Sequence, residues 1–334
     1  MCRPNCGHQV PLDKALLHQG NCLFVLSVAL ALMVGLSSNL VFGSSPPAKK
    51  RSKLDRNITA IGQRGLGGGK SLGNWYSLEK EKEIGQQMSA SLERSVTILS
   101  DAKTTSYVDR LAHRIAQNSD ARMPVTVRVI DTQEAYALSL AGGYQYLTRG
   151  LLLRIGSEGE LASALARGIA HTALRSATKE YTKAYILQVA SIPPVFAGQS
   201  VPIFSTADSF TLPMTFLQMR RDEELDADYF GVQYLYKSGY DTDCFIRFIQ
   251  TVWPANSLSG DFTARGFSFF FPVSQRLEAL RNEITDILPP RDGETTSTPE
   301  FVDFQEHLRS LPGLPDVESG APSLLRRSPP PAER

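Results

Sequence analysis

Two stretches hold the residues best equipped for chemistry. In Arg167-Gly168-Ile169-Ala170-His171, an arginine and a histidine stand four residues apart. In Arg220-Arg221-Asp222-Glu223-Glu224-Leu225-Asp226-Ala227-Asp228-Tyr229-Phe230-Gly231, Glu224 and Asp228 have the same spacing. Residues so spaced share one face of a helix, so Arg167 and His171 look together at whatever Glu224 and Asp228 present. Imidazole nitrogen and carboxylate oxygen are zinc donors, and a catalytic zinc needs three protein ligands. The chain has His8, His18, His113, His171 and His307 only, with the first two before an apolar leader and no two of the others near in sequence. A zinc set of His171, Glu224 and a remote histidine has no support in this spacing. His171 is expected instead to be a core-facing helix histidine held by Asp228 or Glu224.

The elements that must position these groups are legible around them. Ser157 and Glu160 form a capping box, followed by Leu161, Ala164, Leu165, Ile169 and Ala170 at helical spacing. Upstream, Leu78 to about Leu99 predicts a charged amphipathic helix, and Tyr107, Val108, Leu111 and Ile115 mark the apolar face of a second. Val125, Val127 and Val129 alternate with polar neighbours, as in a strand with one buried face, and Tyr144 to Leu147 predicts another. The apolar run Ala184 to Phe196, broken at Pro193-Pro194, reads as a lid, a membrane-touching segment or core.

Together the two stretches resemble the gluzincin metallopeptidases, the family of the CAAX prenyl protease, the mitochondrial Oma protease and the periplasmic β-barrel-assembly-enhancing protease. Asn74-Trp75-Tyr76-Ser77-Leu78-Glu79-Lys80-Glu81 is similar to that family's opening helix, and Leu140-Ala141-Gly142-Gly143-Tyr144-Gln145-Tyr146-Leu147-Thr148-Arg149-Gly150-Leu151-Leu152 to its edge strand and following turn. The likeness spans Asn74 to Ile287 and implies an α+β, mostly helical, zincin-like domain with a small sheet and two former metal-site helices. In that family an H-E-x-x-H helix supplies two zinc ligands and an E-x-x-x-D helix the third, the aspartate steadying a ligand histidine. The resemblance maps His171 and Glu224 onto retained ligand positions and Asp228 onto the supporting aspartate. Arg167 then stands at the first ligand histidine, and Gly168 at the glutamate that activates water. Phe269-Phe270-Phe271-Pro272-Val273 lies where the family has S-T-H-P-P, so Phe271 replaces a histidine that supports the transition state. Gly143, Tyr144, Gln145 and Tyr146 map onto the strand along which substrate backbone pairs; the alternative is an ordinary edge strand.

The chain has 334 residues, 42% hydrophobic and 21% charged, enough for one substantial domain with flanking segments. A formal net charge of +1 gives no electrostatic case for a nucleic-acid partner. Cys2, Cys6 and Cys22 lie at the N-terminus and only Cys244 in the domain, so no internal disulfide is expected there. Arg3 and Lys14 precede the uncharged run Leu23 to Leu36, which predicts a signal peptide or membrane anchor over 1–43 and hence export, to a bacterial periplasm or membrane. Residues 44–73, with Pro46, Pro47 and Gly65 to Gly69, are expected to be a flexible linker. Gly69-Lys70-Ser71 is not a phosphate loop, because Arg64 stands where the first glycine is required. The peptidase-like domain covers 74–288, and 289–334 is expected to be a proline-rich disordered tail with a short helix around Phe301 to Leu311.

These readings point to an exported, non-catalytic peptidase homologue that binds envelope or unfolded protein segments in its cleft, with membrane association. The alternatives are an active zinc metalloendopeptidase with an unusual ligand set, or a partner subunit of an active homologue. No cofactor is expected unless the family activity is retained, in which case it is zinc. In place of metal, Arg167 is expected to bridge Glu224 and Asp228 through its guanidinium; the alternative is that it snorkels to solvent.

Overall fold

The structure, a computed structural model, describes residues 51–68, 73–191, 214–252 and 273–313. All but Arg51 belong to one compact unit, Ser52–Arg334. Its elements in chain order are helices α1 (Leu78–Glu93) and α2 (Ala102–Gln117), strands β1 (Thr126–Ile130), β2 (Ala137–Ser139) and β3 (Tyr144–Thr148), and the short helix α3 (Arg149–Arg154). Then follow α4 (Glu158–Leu174), α5 (Ser176–Ser191), α6 (Met214–Lys237), α7 (Asp243–Val252), α8 (Val273–Ile287) and α9 (Pro299–Ser310). This is the α+β, mostly helical architecture with a small sheet.

Helix α4 runs through the centre. Every one of its residues is buried except His171, which is half-buried. A helix enclosed on all sides needs an unusual sequence, and Ala162, Ala164, Ala166 and Ala170 supply it by letting α6, α7 and α2 approach closely. Its start follows the capping-box pattern: Glu160 N donates to Ser157 Oγ at 3.2 Å, while the Glu160 carboxylate accepts from Gly156 N through Oε2 at 3.2 Å and from Ser157 Oγ through Oε1 at 3.3 Å. Buried Glu158, in the first turn, accepts hydroxyls from Tyr107, Tyr240 and Thr298. Burial, and then the Glu158 carboxylate, push the phenols of Tyr107 and Tyr240 well above their ordinary range. At the other end Arg175 adopts the left-handed conformation (φ 58°, ψ 39°). That strain is offset by its guanidinium, which donates to Glu81 Oε2 at 2.6 Å, Tyr76 O at 2.7 Å and Gly68 O at 3.2 Å.

The sheet order is β1-β3-β2, with β1 parallel and β2 antiparallel to β3. The alternation at Val127 and Val129 does bury one face of β1. The strand expected at the cleft edge is not an edge. Tyr144, Gln145 and Tyr146 lie in central β3, opposite Thr126, Val127 and Arg128 on one side and, for Gln145 and Tyr146, Ser139 and Leu138 on the other. Gly143 closes the 3₁₀ turn before it. The three-residue strand β2 was too short to show a period in the sequence, and it takes the outer place.

Three further expectations are corrected. The first helix ends at Glu93 rather than Leu99, because Thr97 and Leu99 bond to the outer side of β1. The linker expected over 44–73 is packed in its described part. There Ile61 is buried, and the fully buried Arg64 guanidinium donates through Nε to Asp120 Oδ2 at 2.8 Å and through Nη1 to Gln233 Oε1 at 2.6 Å. The tail expected from 289 belongs to the domain as far as residue 313. Helix α9 buries Phe301, Phe304 and Leu308, its Gln305 Nε2 donates to Leu152 O at 2.6 Å, and Arg149 Nη1 donates to Pro312 O at 2.8 Å beyond the end of α9. Glycine content and proline content misled in these two places; single buried arginines hold segments that composition marks as loose. The leader, Gly69-Lys70-Ser71 and the proline-rich end lie outside the described residues, as do the residues beyond Ser191 in the apolar run.

Truncating Arg64 tests the packed segment. Arg64→Ala leaves Asp120 buried against Tyr234 without its cation, so the domain is expected to lose roughly 3 to 5 kcal/mol in urea unfolding. An unchanged midpoint would return the segment to a linker.

Candidate functional site

The site lies between α4, α6 and α8. Glu224 and Asp228 come from one face of α6, Arg167 and His171 from the facing side of α4, as the four-residue spacings require. The helices close tightly here because α6 has Gly231, where a Cβ would come within 3.1 Å of Arg167 Cα. Arg167 Nη2 pairs directly with Glu224 Oε2, and its Nε lies 3.3 Å from Asp228 Oδ1, an ionic contact without hydrogen-bond alignment. His171 Nε2 is 3.9 Å from Glu224 Oε1. The side chains of Arg167 and Asp228 are 9% and 3% exposed, so the reading in which Arg167 snorkels to solvent does not hold.

A second guanidinium completes the group. Arg276 of α8 donates to Asp228 through both arms of its fork, Nε to Oδ2 and Nη2 to Oδ1, each at 2.8 Å, and its side chain is 3% exposed. Such bidentate pairs are among the strongest polar contacts in proteins. The sequence reading missed Arg276. A signal was there: α8 places Val273, Leu277, Leu280, Ile284 and Ile287 toward the core, and Arg276 lies on that stripe. An arginine on an apolar stripe needs a buried anion.

Of the other expected residues, Gly168 lies on α4 beside Arg167 and points at β3, where Gln145 faces it. Tyr146, one residue on, points to the opposite side of the sheet: its hydroxyl donates to Glu93 Oε1 at 2.8 Å and meets Ser89 Oγ at 2.7 Å. Burial pushes that phenol up to about 12. Phe271 lies outside the described residues.

Comparison with protein families matches residues 102–284, α2 through α8, to peptidase family M48. The chain belongs to peptidase family M48. It is 24% identical over 272 residues to a beta-barrel assembly-enhancing protease of Yersinia pestis, covering 77% of this chain and 54% of that protein. Its identity to the Escherichia coli K12 protein of the same name is 24% over 191 residues, or 54% of this chain and 39% of the relative. A Vibrio cholerae protein described as a candidate of the same kind is 27% identical over 185 residues, 53% and 38% of the two chains. The chain thus spans roughly two fifths to one half of the length of these relatives.

Family M48 is zinc-dependent in general, and the residues at this site do not fit the metal. Glu224 Oε2, the oxygen that a metal would need, is already engaged by the Arg167 guanidinium. The charge is already balanced, with Arg167 and Arg276 against Glu224 and Asp228. A divalent ion added to this group would sit uncompensated next to a guanidinium in a poorly solvated place, which electrostatics opposes. Gly168 in turn has no side chain to take a proton from water.

The bridge is load-sharing between helices, so its loss should be felt in stability. Arg167→Ala leaves Glu224 without its cation and Asp228 with only Arg276, and should destabilise the domain by roughly 3 to 5 kcal/mol. Thermal or urea unfolding measures this, and a variant as stable as wild type would refute the bridge.

Proposed function

We propose that this protein is an exported, catalytically impaired member of family M48 that holds extended segments of envelope or unfolded proteins without cutting them. The observation that carries the reading is the Arg167 guanidinium on Glu224 and Asp228. It substitutes a fixed organic cation, which cannot polarise a carbonyl or deliver hydroxide, for a metal that does both. The missing carboxylate at Gly168 removes the proton acceptor as well.

Peptide binding needs neither group. Among the described residues no strand pairs with the outer side of β2, and Leu138 on that strand is exposed. An extended segment added there would gain main-chain hydrogen bonds on a scaffold fixed by β3 behind it. The names of the relatives refer to assembly of β-barrels, which supports an envelope setting, and Leu23 to Leu36 after Arg3 and Lys14 supports export. No helix among the described residues is long and apolar enough to cross a membrane.

Protein recovered from the envelope fraction is expected to contain zinc well below one equivalent and to leave casein intact, because losing the general base alone typically lowers the rate by about a hundredfold or more. Chelator-sensitive casein cleavage abolished by Glu224→Gln would establish the alternative, an active zinc endopeptidase with an unusual ligand set. Recovery of the full-length protein from the soluble cytoplasm would remove the export part of the reading.

A further inference from the structure

The empty position on α4 is not open space. A Cβ built on Gly168 would lie 2.6 Å from Gln145 Oε1, 2.7 Å from Gln145 Cδ and 3.0 Å from Ser139 Oγ. The tip of a glutamine can ordinarily swing aside. Here it has little room, since Gln145 is 2% exposed and its backbone is fixed on both sides by β1 and β2. Its Nε2 is buried with no hydrogen-bond partner among the described residues, a cost that an apolar side chain at this place would not carry.

From this juxtaposition we infer that Gln145 is the residue that fills the place of the lost general base. Its carboxamide, projected from the sheet, occupies the volume into which any side chain at 168 would extend. Position 168 is therefore held as glycine by β3, and the loss of the carboxylate is locked by packing. The cleft is committed to binding without turnover: restoring the helix motif alone, at 167 and 168, would drive a glutamate into Gln145. This deepens the proposed non-hydrolytic role and rests on it for its meaning, while its physical content can be tested apart.

The test uses a sign. In a helix interior, Gly→Ala ordinarily stabilises, because alanine is the best helix former and glycine among the poorest. With Gln145 present, Gly168→Ala is expected to lower the melting temperature, by on the order of 5 °C for an overpacked site in a domain of this size. In a Gln145→Ala background the same substitution is expected to raise it, since the methyl group then enters the space the carboxamide has left. Should Gly168→Ala alone fail to accumulate, its recovery as soluble protein in the Gln145→Ala background is the same result. A Gly168→Ala effect of one sign in both backgrounds would overturn the inference, as would casein hydrolysis by an R167H/G168E variant with Gln145 intact. Cleavage by the wild-type protein would sink the proposed function and leave the sign reversal standing; a cycle without reversal in an inert protein would do the opposite.

Discussion

Two guanidinium groups and two carboxylates lie between three helices, and none of the four could stay there alone. Moving one ion into such surroundings costs several kcal/mol even after relaxation, and the cost is recovered only when its partner is in contact and well aligned. Asp228 has that alignment from the fork of Arg276, and Glu224 has its contact from Arg167. The group therefore fixes the distance between α4 and α6 and the position of α8 against both. In a zinc enzyme of this family a metal serves the same mechanical end and also does chemistry. Here two guanidinium groups, which stay charged, hold the carboxylates of α6 in place.

The rest of the domain is arranged to keep α4 where that group needs it. At its first turn Glu158 gathers hydroxyls from α2, from the turn after α6 and from the cap of α9. After its last turn Arg175 reaches back to Glu81 of α1 and to the carbonyls of Gly68 and Tyr76 ahead of that helix. The alanines between allow close packing all round. A helix so enclosed leaves only one side chain partly exposed, and that one is His171, whose Nε2 lies 3.9 Å from Glu224 Oε1.

How much of this the sequence disclosed depended on whether the information was local. The four-residue spacings at Arg167–His171 and Glu224–Asp228, the cap at Ser157 and the alternation at Val127 and Val129 are local, and each is visible in the geometry of α4, α6 and β1. Which strand lies at the edge is decided by pairing between distant segments, so Tyr144 to Tyr146 took the central place while the three residues Ala137–Ser139 took the edge. Arg64, Arg149 and Arg276 each anchor a segment through a partner 48 or more residues away. Neither composition nor periodicity carries that information, and so a glycine-rich stretch and a proline-rich one look like loose chain in the sequence. Gln145 was noticed for the wrong reason: its backbone was expected to bind peptide, whereas its side chain closes the gap at Gly168.

The claim on which the account depends is that Arg167 and Glu224 compensate one another as a metal and its ligand would. A double-mutant cycle on urea unfolding measures that coupling directly. Arg167→Met takes the guanidinium from Glu224, Glu224→Leu takes the direct carboxylate partner from Arg167, and the double variant removes both ends of that contact, so it should lose much less than the sum, with a coupling of roughly 2 kcal/mol or more. Additivity within about 0.5 kcal/mol would mean that the two groups do not sense one another, and would contradict the account.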